Sequence, residues 1–119
     1  MRRIAYIAIM LIFLGGCATA LSRGIDANKK SLQSISFGMS KAEVLKIMGT
    51  APIMTEGKMV SNPYRTDVLN GATKTYEVLY YVTNVDADDG MISDNELTPF
   101  VFYKGMLIGS GWDYMQTVR

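Results

Sequence analysis

Thr75-Tyr76-Glu77-Val78-Leu79-Tyr80-Tyr81-Val82-Thr83-Asn84-Val85 is the stretch on which the fold turns. It is rich in Tyr, Val and Thr, residues that fit a pleated, half-buried surface. Alternation sets Tyr76, Val78, Tyr80 and Val82 on one face and Glu77, Leu79, Tyr81 and Thr83 on the other. Upstream, Asn70-Gly71 is a hairpin turn signal, so Pro63 to Leu69 reads as the preceding strand. Downstream, Phe100 to Tyr103 reads as a strand opened by Pro99, a residue that suits a strand start or an edge. Lys104-Gly105 turns the chain, and Met106 to Met115 reads as the last strand. Gly109 and Gly111 fall on one face of it, a bare patch for a neighbouring aromatic or a partner to cover.

A sheet of this kind needs a helix to cover it, and the sequence supplies one. Ser40-Lys41-Ala42-Glu43 fits the capping box, in which the Ser40 hydroxyl bonds the Glu43 amide and Glu43 reaches back. Met39 before the cap and Val44 at the fourth helical position make a hydrophobic staple. Val44, Leu45 and Met48 share a face at helical spacing, and Gly49 with Pro52 beyond it stops the helix. A helix of about eight residues is unstable alone and must dock. Farther upstream, Asp26 or Asn28 could cap a second short helix running to about Ser34, with Leu32 and Ile35 as its buried positions. The expected class is therefore α+β, with two short helices on a three- to four-stranded antiparallel sheet.

Composition narrows the chemistry. Among 119 residues there are 12 basic and 11 acidic ones, one cysteine and no histidine. The near-neutral balance argues against a nucleic-acid surface, which needs clustered Lys and Arg. Without histidine, the commonest general base and transition-metal ligand is missing. Without a second cysteine, zinc sites, Cys-His nucleophiles and an internal disulfide are excluded. Serine nucleophiles lack a histidine partner, and carboxylate pairs such as Asp88 and Glu96 have no visible orienting groups. The expectation is a protein without enzymatic activity or a small-molecule substrate.

The N-terminus carries an address. Arg2 and Arg3 precede eleven unbroken apolar residues, Ile4 to Leu14, and then comes Leu14-Gly15-Gly16-Cys17. Positive charge, a short apolar run and small residues spell a secretory signal peptide. The ending resembles the lipobox of bacterial lipoproteins, in which the cysteine is lipidated and becomes the new N-terminus. That divides the chain into a signal peptide at 1–16, a lipidated tether at 17–30 and a domain at 31–119. Two other readings stand beside it: an ordinary cleaved signal with a free thiol, and an uncleaved span from Ile4 to Leu21, 18 residues without a charge.

Two further groups are candidate sites. In Asp86-Ala87-Asp88-Asp89-Gly90-Met91-Ile92-Ser93-Asp94-Asn95-Glu96, the residues Asp86, Asp88, Asp89, Ser93 and Glu96 match ligand positions of a calcium loop shortened by one residue. A solvated hairpin loop explains the same composition. Phe100, Phe102, Trp112 and Tyr114 are a candidate partner-binding patch, although alternation places half of them in the core. Most of the methionines are better read as core filling than as an adaptable surface.

Phe37-Gly38-Met39-Ser40-Lys41-Ala42-Glu43-Val44, then Met48-Gly49-Thr50-Ala51-Pro52, resembles the segment shared by small outer-membrane lipoproteins of the SmpA/OmlA type. Phe100-Val101-Phe102-Tyr103-Lys104-Gly105-Met106-Leu107 with Trp112 resembles that family's closing hairpin. The likeness covers residues 30–115 and the lipobox. It implies a two-layer domain like that of β-lactamase inhibitory protein, one that binds other proteins and, in the member serving the β-barrel assembly machine, anionic phospholipid. This chain departs from that member in its acidic insertion, Asp86 to Glu96, and in the inserted Ala51. The resemblance thus implies a paralogue whose partner it does not name. The resulting expectation is a palmitate-bearing lipoprotein facing the periplasm from the outer membrane. It would bind an envelope protein and serve outer-membrane assembly or integrity. Ala18 after the cysteine, where Asp would signal inner-membrane retention, supports that address. The alternative is a calcium- or lipid-binding structural lipoprotein. No cofactor is expected beyond the covalent lipid and the possible Ca2+.

Overall fold

The computed structural model describes residues 20–55, 57–85 and 91–119. In chain order these form α1 (Ala20–Leu32), α2 (Lys41–Met48), β1 (Ile53–Thr55), β2 (Lys58–Val60), β3 (Arg65–Asn70), β4 (Thr75–Val82), β5 (Leu97–Tyr103), β6 (Met106–Ser110) and α3 (Trp112–Val118). β3 to β6 make one antiparallel sheet in sequence order, and β1 with β2 make a separate two-stranded ribbon. The class is α+β, with helices packed on an antiparallel sheet.

β4 lies inside the sheet, and its alternation builds two cores. Val78, Tyr80 and Val82 join Leu97, Val101, Ile25 of α1 and Met115 of α3 on one face. Leu79 and Tyr81 join Phe100, Phe102, Leu107 and the α2 residues Val44 and Met48 on the other. Each large side chain buried this completely contributes roughly 1.5–3 kcal/mol, so both faces help hold the sheet. Helices therefore cover both faces, where two helices in two layers were expected.

Local signals explain α2. Its N-cap is Ser40, whose Oγ accepts from the Glu43 amide at 3.1 Å. Gly49 closes it at φ 88°, a conformation that favours glycine, and donates to the Leu45 carbonyl. The Tyr81 hydroxyl donates to the Gly49 carbonyl at 2.8 Å, which ties the helix end to β4. At the Lys104-Gly105 turn both residues have positive φ, 50° and 79°, as a tight hairpin requires.

Two expectations are corrected. Residues 20–30 are no tether. They lie in α1, where Ile25 and Asn28 are buried, so the packed domain includes residues before 31. Asn28 is not a cap either. Its Nδ2 donates to the Val82 carbonyl and to Asn62 Oδ1, both at 2.9 Å. Second, the last strand ends at Ser110, and residues 112–118 are helical. Gly111, at φ 92°, breaks the strand, and its amide donates to the Pro99 carbonyl at 2.9 Å. The burial of Met115 outweighs the strand preference of Trp, Tyr, Thr and Val. The β1–β2 ribbon lies in a stretch to which the sequence assigned no element. It packs on α1, where the Ile53 side chain fills the space beside Gly24.

Candidate binding surface

The anchor and the first part of the acidic loop lie outside the described residues, among them Cys17, Asp86, Asp88 and Asp89. Of the calcium candidates, Ser93 and Glu96 are described. Glu96 is 4% exposed. Its Oε1 accepts from the Ser93 amide at 3.2 Å and from Ser93 Oγ at 2.9 Å, closing a capping box over a single 3-10 turn, Asp94–Glu96. Both side chains thus have a structural task in ending the loop. Among the described residues, no group of three or more Asp, Glu or Cys side chains is placed to hold a metal.

The four aromatic candidates do not form one patch. Phe100 and Phe102 are each 1% exposed, under α2, and offer no surface to a partner. Their alternation with Val101 sends them to one side of β5, while Trp112 and Tyr114 pack partly buried on the opposite side. Trp112 Nε1 donates to the carbonyls of Asp94 and Leu97, both at 3.0 Å, and its ring lies 5.7 Å from that of Tyr80. It pins the loop's exit to the sheet. Tyr114 covers Gly109, as the bare patch required: a Cβ there would meet its ring at 2.3 Å.

What remains accessible lies at the sheet's margin. The β6 edge is occupied. Gly38 donates to the Leu107 carbonyl, Leu107 to the Met39 carbonyl and Lys41 to the Gly105 carbonyl, at 2.8–2.9 Å. β3 forms the other edge and pairs with β4 alone. Its residues 65–68 are all exposed. On one face, the Arg65 guanidinium lies 4.2 Å from the Tyr80 ring centre and within 3.3 Å of Asp67 and 3.7 Å of Asp94. Burial works against its charge, but the hydrogen bond to Tyr80 and the nearby carboxylates outweigh it and raise its pKa. On the other face, Thr66 and Val68 border a groove shared with the Lys41–Glu77 ion pair, 2.6 Å long. The ribbon adds Met54 and Met59, directly opposite one another and both largely exposed. These two are surface residues, unlike the buried Met48 and Met115.

Sequence reasoning did not find this edge or this ribbon. Gly57 between Ile53-Met54-Thr55 and Lys58-Met59-Val60 was a short hairpin signal. Arg65 and Asp67 in the expected strand marked the polar edge.

The fold and its margins define a small α+β domain with an accessible sheet edge. The chain belongs to the family described as "Protein of unknown function (DUF3192)", whose model matches residues 22–117. That match begins inside α1, in keeping with its place in the domain. No curated protein and no solved structure matches the chain.

Proposed function

We propose that this protein is a lipid-anchored, non-enzymatic component of the bacterial cell envelope that acts by binding another envelope protein. The observation that carries the reading is Leu14-Gly15-Gly16-Cys17 at the end of a charged and then apolar leader. Confinement to a surface raises the domain's effective concentration for membrane-bound partners. Two or more acyl chains make such an anchor stable, where one chain gives only reversible binding. The resemblance to SmpA/OmlA lipoproteins and Ala18 support an outer-membrane, periplasm-facing address.

Labelling cells with radioactive palmitate tests this. The wild-type chain takes up label and sediments with membranes, and Cys17→Ser loses both properties. An unlabelled wild-type chain in the soluble periplasmic extract, or a mature protein that retains Met1, overturns the proposal.

A further inference from the structure

The open edge of β3 carries a pattern that reads the same in both directions when two copies meet. Backbone geometry decides which groups face outward. Gly71 donates to the Lys74 carbonyl on the β3–β4 side, and Thr83 donates to the Glu96 carbonyl on the β4–β5 side. In an antiparallel ladder, hydrogen-bonded pairs alternate with non-bonded ones. With the observed register, both bonds make Arg65, Asp67 and Leu69 the residues that bond β4. The amides and carbonyls of Thr66, Val68 and Asn70 therefore point out of the sheet, and among the described residues no strand pairs with them.

Charge then selects the occupant. Arg65 and Asp67 flank Thr66 on one face of the strand, opposite in sign and two residues apart. We propose that two copies of this chain join antiparallel through β3, with Thr66 facing Thr66 across a twofold axis. Arg65 of each copy then faces Asp67 of the other, giving two cross-strand ion pairs in a four-charge checkerboard. Opposite charges directly across a strand pair stabilise it, and like charges destabilise it. Centring the axis on Asp67 would set the two Asp67 carboxylates against each other. Centring it on Val68 would place Asp67 opposite Leu69 and leave Arg65 opposite Gly71. Only the Thr66 axis satisfies all four charges. The product is one continuous eight-stranded sheet. A free edge is an invitation to indiscriminate pairing that proteins blunt with charge; here the charges reject other registers and accept this one.

Cysteine crosslinking of the full chain tests both the partner and the register. Thr66→Cys, Asp67→Cys and Val68→Cys are each oxidised in intact cells and run on a non-reducing gel. Each is made with Cys17 and, separately, with Cys17→Ser, so that failure of the anchor is read independently of failure of the dimer. In a hydrogen-bonded pair the Cα atoms lie about 5.5 Å apart, within the range a disulfide spans. Thr66→Cys is expected to give a band at twice the monomer mass, with the other two about tenfold weaker. Adding Arg65→Asp, or Asp67→Arg, to Thr66→Cys reduces the band by about tenfold, and the two changes together restore it. No dimer band, equal yields at the three positions, adducts with a different protein, or insensitivity to the charge changes would each overturn the proposal.

Discussion

Asn28, in the middle of α1, donates one side-chain hydrogen bond to the backbone carbonyl of Val82 at the end of β4 and another to Asn62 Oδ1, each 2.9 Å long. The first is buried and joins residues 54 apart in sequence. It makes the N-terminal helix part of the domain. Asn28→Leu keeps a similar volume but leaves the Val82 carbonyl and Asn62 without their donor. An unsatisfied buried acceptor costs about 1–3 kcal/mol. We expect a loss of that size in chemical denaturation, and Asn28→Ala to behave alike. A variant as stable as wild type would return α1 to the role of a tether.

Gly109 and Tyr114 set a steric test of α3. An added Cβ at Gly109 would lie 2.3–2.5 Å from three atoms of the Tyr114 ring. Gly109→Ala should therefore destabilise by about 1–3 kcal/mol, as overpacking does. Tyr114→Leu in the same chain should recover part of that loss. A double-mutant cycle reads the coupling directly, and strict additivity would contradict the packing described.

The cap of α2 has its own measurement. Ser40→Ala removes the acceptor for the Glu43 amide and should cost about 1 kcal/mol. Ser40→Asp keeps an acceptor there and should be near neutral. Equal losses in the two variants would show that Ser40 matters through something other than its oxygen.

Glu96 should matter to stability whatever the ion content. Its carboxylate accepts two bonds from Ser93 while buried. Glu96→Ala should cost about 1–3 kcal/mol, with the same shift in Tm in chelator and in millimolar calcium. A loss seen in calcium alone would restore this residue to the role of an ion ligand.

Tyr81 makes stability depend on alkaline pH. Burial disfavours its phenolate and pushes its pKa up from 10.0 to about 12. The sign follows from linkage. The unfolded chain loses this proton near pH 10, whereas the folded chain keeps it to about 12. The contribution is complete below pH 10 and is lost as pH rises toward 12. Tyr81→Phe removes the titration along with the hydrogen bond to Gly49. Wild type should be the more stable at pH 8, and its advantage should shrink across pH 10 to 12. A constant difference across that window would refute the assignment.

Much of the sheet was legible in the sequence because its evidence is local. Alternation in Thr75 to Val82 depends only on the pleat, and the structure places Tyr80 and Tyr81 in opposite cores as that alternation requires. Ser40, Gly49 and Lys104-Gly105 are equally local, since each satisfies a backbone constraint within a few residues. The candidate surface was far less legible. Phe100 and Phe102 look like interface aromatics in isolation, and only the docking of α2 removes them from the surface.

By itself, then, the amino-acid order determined the strand alternation, the α2 cap and stop, the hairpin turns, and the absence of histidine and of any internal disulfide. The tertiary structure alone decided that 20–32 and 112–118 are helices, that both faces of the sheet are covered, and that β3 rather than β6 is the open edge. The reason is one of range. Propensity and capping act over a few residues, whereas Asn28 meets Val82, Tyr114 meets Gly109, and the 38–41 segment closes β6, only once chain distant in sequence has been brought together. Burial at those contacts outweighs the fraction of a kilocalorie per residue that separates helix from strand.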